Sequence, residues 1–404
     1  MNIIQINLTY GIGSTGKIMK DLNDIIEKTG NCGFMVAGYS IENKSDSNLF
    51  CLNRGDYLNK MRKDILISRI TGEMGYRYIE KTKEAIKWID SKDPDIIHLH
   101  NIHGDWINIK ILFEYLKEKD VPVVWTMHDC WPFTGRCSHF ENFGCYEWKR
   151  GCKVKCKNKV YPLTYFFDKS EKIWNDKYNW FRGIHKMQLV TPSDWLGKFI
   201  QDSFLKDYPV MTIHNGIDTA TFRPLIKNSK YLKDVKNKKI ILGVANSWSE
   251  KKGLLDFFEL SNLLDQKIYQ IVIVGLNKRQ MKMIPKSIIG IERTNNQEEL
   301  VVLYSRAHVF VNPTYQDNFP TTNLEALACG TPIVTYNTGG SPECLIDNNV
   351  GYMINKGEIN KLALKIKEIC SISKDDIMIS NIGKKYFDKN VCFNLYMQLY
   401  KRLI

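Results

Sequence analysis

Apolar segments alternate with segments of helical period in this chain, and the alternation runs through twice. "IIQINL" precedes a stretch in which Ile18, Leu22, Ile25 and Ile26 share one helical face, and "FMVAGY", "DIIHLH" and "VPVVWTMH" follow. The order then restarts with "KIILGVAN", "QIVIVGL", "HVFVNP" and "TPIVTY", separated by the helical "GLLDFFELSNLL", "NQEELVVLYSRA" and "TTNLEALACG". Unbroken apolar runs read as strands covered on both faces, the habit of parallel sheets, and the 3.6-residue period supplies the covering helices. The reading is two doubly wound α/β units, each with a mostly parallel sheet. The length of 404 residues agrees, because a single core stops growing at roughly 250–300 residues. The first domain is set at 1–213 and the second at 214–384, with a closing helix at 385–404 that packs back on the first. Ser193 caps the helix before the boundary, which falls near "VMTIHNGIDTATFRP". Open sheets of this kind bind ligands beyond the carboxyl ends of their strands, so the two domains are expected to face each other across the active-site cleft.

The loop after the first strand, "TYGIGSTGKIM", comes close to the Walker A pattern of nucleotide hydrolases. Gly11, Gly13 and Gly16 permit close backbone approach, and the helix that follows offers unpaired N–H groups and a partial positive charge to an anion. Ile18 stands where a P-loop needs the Ser or Thr that holds magnesium. The loop therefore has the parts to cradle a phosphate without the part that anchors a metal.

Hydrophobic residues at 44% and charged residues at 25% describe a soluble globular protein, not a disordered one. The strand-like "NIIQINL" directly after Met1 is no leader, and no apolar run nears the ~18 residues of a membrane span, so a cytoplasmic location is expected. The net charge of +13 implies an acidic macromolecule or an anionic membrane surface as partner. Six of the cations lie in "KRGCKVKCKNK", 149–159, where there is no acid.

Four groups of residues carry candidate chemistry. Asp317 and Glu325, the first in a loop and the second in a helix beginning near Thr321, suit acceptance of hydrogen bonds from vicinal sugar hydroxyls. His98 and His100 fall on one strand face and raise a metal pair as an alternative to structural roles, whereas His103 is assigned to the acceptor. Cys137, Cys145, Cys152 and Cys156 have the number and spacing for a structural four-thiolate zinc site; core thiols and redox or iron–sulfur chemistry are the other readings. The remaining six cysteines, Cys130 apart, read as core residues. Around the cluster, in the basic excursion 130–160, Trp131, Phe133, Phe140, Phe143, Tyr146 and Trp148 are interleaved among cations in a pattern suited to a membrane interface, with single-stranded nucleic acid or a plain packed loop as the other readings.

"DNFPTTNLEALACGTPIV…TGGSPE", with "NGID" at 215–218, "EKKG" at 250–253 and "GSTGK" near the start, resembles the retaining glycosyltransferases of family four, whose GT-B fold joins two Rossmann-like domains. "HLHNIHG", "WTMHDCWPFTGRC" and "VTPSDWL" are most similar to bacterial enzymes of colanic acid, O-antigen and exopolysaccharide assembly. The resemblance implies transfer of a hexosyl group from a UDP- or GDP-sugar to a polyprenyl-diphosphate-linked glycan, by a protein peripheral at the inner face of the cytoplasmic membrane, with no catalytic metal and no nucleic acid. It implies that Gly16 faces the donor diphosphate and that Lys252 neutralises it. Glu325 then holds the ribose hydroxyls, Asp317 and the backbone amides of Asn318 and Phe319 meet the transferred sugar, and His128 reaches that sugar's hydroxyls. Many relatives carry an Arg six residues before the lysine, where this chain has Asn246; Lys251 or Arg306 then supplies the second charge. A sugar-nucleotide epimerase or hydrolase, and a zinc-stabilised nucleic-acid-binding protein, are the alternative functions.

Overall fold

The computed structural model describes residues 1–404 apart from 41–46, 54–56, 157–163, 234 and 236. The end of the basic run, from 157 onward, is thus outside the described residues.

Among the described residues, seven strands form the first sheet: β1 (Asn2–Tyr10), β2 (Cys32–Ser40), β3 (Leu49–Cys51), β4 (Ile96–Leu99), β5 (Val123–Thr126), β6 (Met187–Thr191) and β7 (Val210–Thr212). Six form the second: β8 (Lys239–Val244), β9 (Tyr269–Val274), β10 (Ile288–Ile291), β11 (Val309–Asn312), β12 (Ile333–Tyr336) and β13 (Gly351–Ile354). Neighbours pair in parallel throughout both. The orders are β3-β2-β1-β4-β5-β6-β7 and β10-β9-β8-β11-β12-β13, each the doubly wound order in which the winding reverses beside the first strand. β1 and β4 flank the reversal in the first sheet, β8 and β11 in the second, and the loops leaving those strands are the natural ligand loops.

The central strands are buried on both faces. In the first sheet Ile4, Ile6, Ile97, Val123 and Leu189 form one apolar face, while Gln5, His98, Thr126 and Gln188 sit on the other. The second sheet is apolar on both, with Leu242, Val272 and Phe310 on one face and Ile241, Ile273 and Val311 on the other. Helices cover them with matching stripes, as with Ile18, Met19, Leu22, Ile25 and Ile26 of the helix Gly13–Lys28. Ser193 caps its helix as read, its hydroxyl accepting the Leu196 N–H at 3.2 Å. The chain divides into one compact unit of Met1–His214 with Phe393–Ile404, and a second of Asn215–Cys392.

The closing helix is not one continuous element. It breaks at Asp388, between the helices Asp376–Phe387 and Lys389–Leu403. Asp388 is extended because it pairs in a parallel bridge with Ile217, whose N–H donates to Phe387 O and whose carbonyl accepts from Lys389. The Asp388 carboxylate then accepts the Asn390 N–H at 2.8 Å and starts the last helix. That helix returns to the first unit, where the Tyr400 hydroxyl lies 2.6 Å from His98 Nδ1 and Tyr396 Oη lies 3.0 Å from Thr126 Oγ1.

Candidate active site

Two ligand loops of the second unit are stitched together. The loop after β8 ends in a single helical turn, Glu250–Lys252, closed by Gly253 at φ +74°. A Cβ on Gly253 would stand 2.1 Å from the Pro313 carbonyl oxygen, so only glycine lets the turn lie against the loop after β11. That loop is fastened by the Tyr315 N–H to Lys251 O at 2.8 Å, by Thr314 Oγ1 to the same carbonyl at 3.3 Å, and by the Tyr315 hydroxyl to Asp256 at 3.0 Å. Lys252 and Asp317 consequently meet, with Nζ 2.5 Å from Oδ2. Both side chains keep some exposure, 35% and 19%, so this pair is reachable from solvent.

The flanking residues are packed more tightly. The Asn318 N–H is turned onto the Asp317 carboxylate at 3.0 Å, and the Asn318 carbonyl accepts from Gly340 at 2.7 Å. Phe319 is buried, and Asn215 of "NGID" donates to its carbonyl at 3.1 Å. Glu325 lies on the helix Thr321–Ala328 and accepts the Tyr304 hydroxyl at 2.9 Å. Burial, and then the Glu325 charge, holds the Tyr304 phenol protonated and fit to donate. No sequence signal marked Tyr304, because it comes from the helix Gln297–Arg306, well before the motif that it supports.

Arg306 drops out as the second donor cation. It ends the helix that leads into the start of β11, beside Lys374 and His308, at the opposite edge of the sheet from Lys252. Lys251 remains next to Lys252 in the same turn.

In the first unit, Gly16 is buried and a Cβ there would lie 2.9 Å from Thr9 Oγ1 and 3.0 Å from Thr9 O. Its small size thus serves to seat the helix on the end of β1. Gly13, at φ +67°, has nothing within 4 Å of a built Cβ and is the open glycine of the loop.

The histidines form a buried polar chain. Gln5 donates to Met19 O at 3.2 Å, which turns its Oε1 to His100 Nε2 at 3.1 Å; His100 Nδ1 lies 3.2 Å from His128 Nε2. His98 is engaged at both nitrogens, by Tyr400 and by Thr126 at 2.8 Å. Burial lowers His98 to about 3 and His128 to about 4, and puts His100 well below the imidazole range. Three neutral rings with hydroxyl, amide and ring partners replace the metal-pair reading of His98 and His100. Among the described residues, no three His, Cys, Asp or Glu side chains stand in ligating geometry about one point.

His103 Nε2 pairs with Asp129 at 2.9 Å, and the two are buried. Burial opposes ionisation of Asp129, but His103, His139 and the Trp131 N–H together hold its carboxyl below the usual range.

The membrane-facing aromatic row does not exist as read. Trp131, Phe133, Phe140 and Trp148 are at most 3% exposed. They stack on one another and on Phe181 and Phe199, because rings of this size gain most by burying their large apolar area in the core. Tyr146 alone of the six is clearly exposed. The four cysteines, in contrast, line one small cavity under Phe140 and Trp148. Of the cysteines read as core, Cys329, Cys344, Cys370 and Cys392 are buried, but Cys32 at the start of β2 is exposed.

Comparison with known proteins agrees with this architecture. Residues 46–221 match the family described as Glycosyltransferase Family 4, and residues 227–386 match Glycosyl transferases group 1. The chain is 23% identical to the putative colanic acid biosynthesis glycosyl transferase WcaC of Escherichia coli K12, over 90% of this chain and 89% of that one. It is 24% identical to the N,N'-diacetylbacillosaminyl-diphospho-undecaprenol alpha-1,3-N-acetylgalactosaminyltransferase of Campylobacter jejuni, over 55% and 62%. Among solved structures, Anabaena HepE in complex with UDP superposes with a TM-score of 0.61 at 13% identity, each chain covered in full. Sucrose-phosphate synthase of Thermosynechococcus elongatus gives 0.67 at 15%, covering 100% of this chain and 98% of that one. The chain belongs to the GT-B glycosyltransferases that join a family 4 domain to a group 1 domain.

Proposed function

We propose that the protein is a retaining hexosyltransferase that uses a nucleotide diphosphate sugar, UDP-linked before GDP-linked, and glycosylates a polyprenyl-diphosphate-linked glycan. The observation that carries this reading is the meeting of Lys252 with Asp317 at the winding reversal of the second sheet. In that role Lys252 neutralises the leaving diphosphate, Asp317 and the Asn318–Phe319 backbone address the sugar, and Glu325, oriented by Tyr304, takes the ribose hydroxyls. His128 addresses sugar hydroxyls as a neutral ring. No side chain acts as nucleophile; the departing phosphate oxygen takes the acceptor proton, and catalysis is positioning and charge stabilisation. The UDP held by HepE favours uridine, and the Campylobacter relative's name supports a lipid diphosphate acceptor.

A lipid-linked acceptor calls for contact with a bilayer, and a surface of suitable chemistry lies away from the buried aromatics. Tyr165, Phe166 and Phe167 are 51%, 73% and 56% exposed. Their backbone is tied to the helix Tyr57–Thr71 by the Tyr165 N–H on Arg69 O, and that helix exposes Leu66 and Ile70. Exposed Arg62, Lys63, Lys153 and Lys155 in the same unit add the positive charge that an anionic lipid surface attracts. No helix among the described residues is long and apolar enough to cross a membrane.

Thermal melting with UDP, GDP, CMP, ADP and Mg-ATP, with and without EDTA, tests the donor. A native-state ligand at 100 times its Kd adds about 2.7 kcal/mol. UDP or GDP is expected to stabilise the chain regardless of EDTA, whereas a response to Mg-ATP alone would return the glycine loop to Walker chemistry and end the transferase mechanism. In transfer assays, Lys252→Ala and Glu325→Ala should each lower kcat by about 100-fold or more while folding normally; near-normal turnover in either overturns the site.

A further inference from the structure

Four thiols collected around one cavity need a reason, and so does the charge placed beside them. Cys137, Cys145, Cys152 and Cys156 are contributed by a winding segment with little regular structure, yet all four line the same cavity. Cys137 and Cys156 have their sulfurs 3.9 Å apart. That is far beyond the ~2.05 Å of a disulfide, and close to the roughly 3.8 Å edge of a tetrahedron with 2.3 Å zinc–sulfur bonds. The Gly135 N–H donates to Cys152 Sγ at 3.3 Å, a bond that strengthens when the sulfur carries negative charge. Only glycine allows it, since a Cβ on Gly135 would stand 3.1 Å from that sulfur and 2.5 Å from Ser170 O.

The second observation is Lys177. It is 1% exposed, and its Nζ donates to the carbonyls of Trp131 at 2.6 Å and Thr134 at 3.1 Å. Among the described residues no carboxylate lies within ion-pair distance of it, although the Asp129 charge acts on it through space. Arg136, next to Cys137 in sequence, is 5% exposed, donates to Thr164 Oγ1 at 3.1 Å and lies 3.7 Å from the Asp168 carboxylate. Two basic side chains are thus buried beside the four thiols, and the Lys177 ammonium is held by backbone carbonyls. A zinc tetrathiolate, with net charge −2, is an anion that buried cations on this side of the cavity would favour.

We propose that Cys137, Cys145, Cys152 and Cys156 bind one structural zinc ion as a closed tetrathiolate, with Lys177 and Arg136 as its buried counter-charges. Binding releases four thiol protons to solvent and leaves zinc divalent, so no oxidant or reductant takes part. As placed, the sulfurs do not all converge on one point; closure takes side-chain rotations into a cavity that all four already line. The ion would pin the excursion between the turn Trp131–Phe133 and the helix Ser170–Phe181, with no fourth position open for catalysis.

The test is metal analysis of the full chain, purified under reducing conditions without chelator. About one zinc per chain is expected, and exchange with Co2+ should give the intense visible and thiolate charge-transfer bands of tetrahedral sulfur ligation. The Cys137→Ser/Cys156→Ser double variant should lose the metal. If that variant fails to fold, the cobalt spectrum of the unaltered chain decides alone. A native chain without zinc that also gives no tetrahedral cobalt spectrum overturns the proposal. So does stoichiometric iron with sulfur-bound absorption, or a Cys137–Cys156 disulfide in the reduced preparation.

Discussion

Replacing Gly253 by Ala should damage both stability and turnover. The position sits at φ +74°, and a left-handed backbone costs an L-residue about 1–2 kcal/mol. The new Cβ would lie 2.1 Å from a backbone oxygen, Pro313 O, and must retreat by about 1 Å to reach even a 3.0 Å contact. Neither partner is a side chain that can swing aside, so the turn and the loop after β11 must separate. The Tyr315 N–H to Lys251 O bond, at 2.8 Å, is the first casualty, at about 1 kcal/mol. The sum is about 2–4 kcal/mol, and for a unit of this size each kcal/mol moves the melting temperature by roughly 2–4 °C. A drop of about 5–15 °C is expected by calorimetry. The same retreat moves Lys252 relative to Asp317, and a misplacement of about 1 Å can cost 100-fold in rate. Gly13→Ala is the control: it shares a positive φ but meets nothing within 4 Å, so it carries only the backbone cost. If Gly253→Ala melts no lower than Gly13→Ala, or transfers sugar at the normal rate, the stitched-loop account of the site is wrong.

Two further outcomes follow from buried polar groups. Tyr304→Phe removes the donor to Glu325; it should cost about 1 kcal/mol of stability and weaken nucleotide binding severalfold by calorimetric titration, and unchanged affinity would detach Glu325 from the ribose. The buried histidines set a pH dependence: with His98 lowered to about 3 and His128 to about 4, the unfolded chain takes up protons first as pH falls below 6.5. Stability is therefore full above pH 6.5 and is lost toward pH 4, by up to about 1.4 kcal/mol per pH unit for each ring. Urea midpoints that stay flat between pH 7 and pH 5 would show that these rings are not held neutral.

Much of the site was legible because its parts are local. The glycine in "EKKG", the loop "YQDNFP" and the helix start at Thr321 are short-range features, and each sits where its strand ends. What was not legible depended on partners distant in sequence. Tyr304 behind Glu325, Tyr315 on Asp256 and Gln5 behind His100 are single side chains brought in from other elements, and no spacing rule marks them.

The sequence by itself determined the two parallel sheets, the helices between them, the Ser193 cap and the order of motifs that marks the family, because periodicity, capping and strand-end turns are set by neighbours along the chain. Only the tertiary structure decided which aromatic residues leave the surface, and that Arg306 ends at the wrong edge of its sheet. It also decided that His98 and His100 are satisfied without metal, and that the last helix breaks where Asp388 pairs with Ile217. Each of these turns on burial and hydrogen-bond partners separated by tens to hundreds of residues, and a free energy shared between such partners leaves no mark on the local pattern of either.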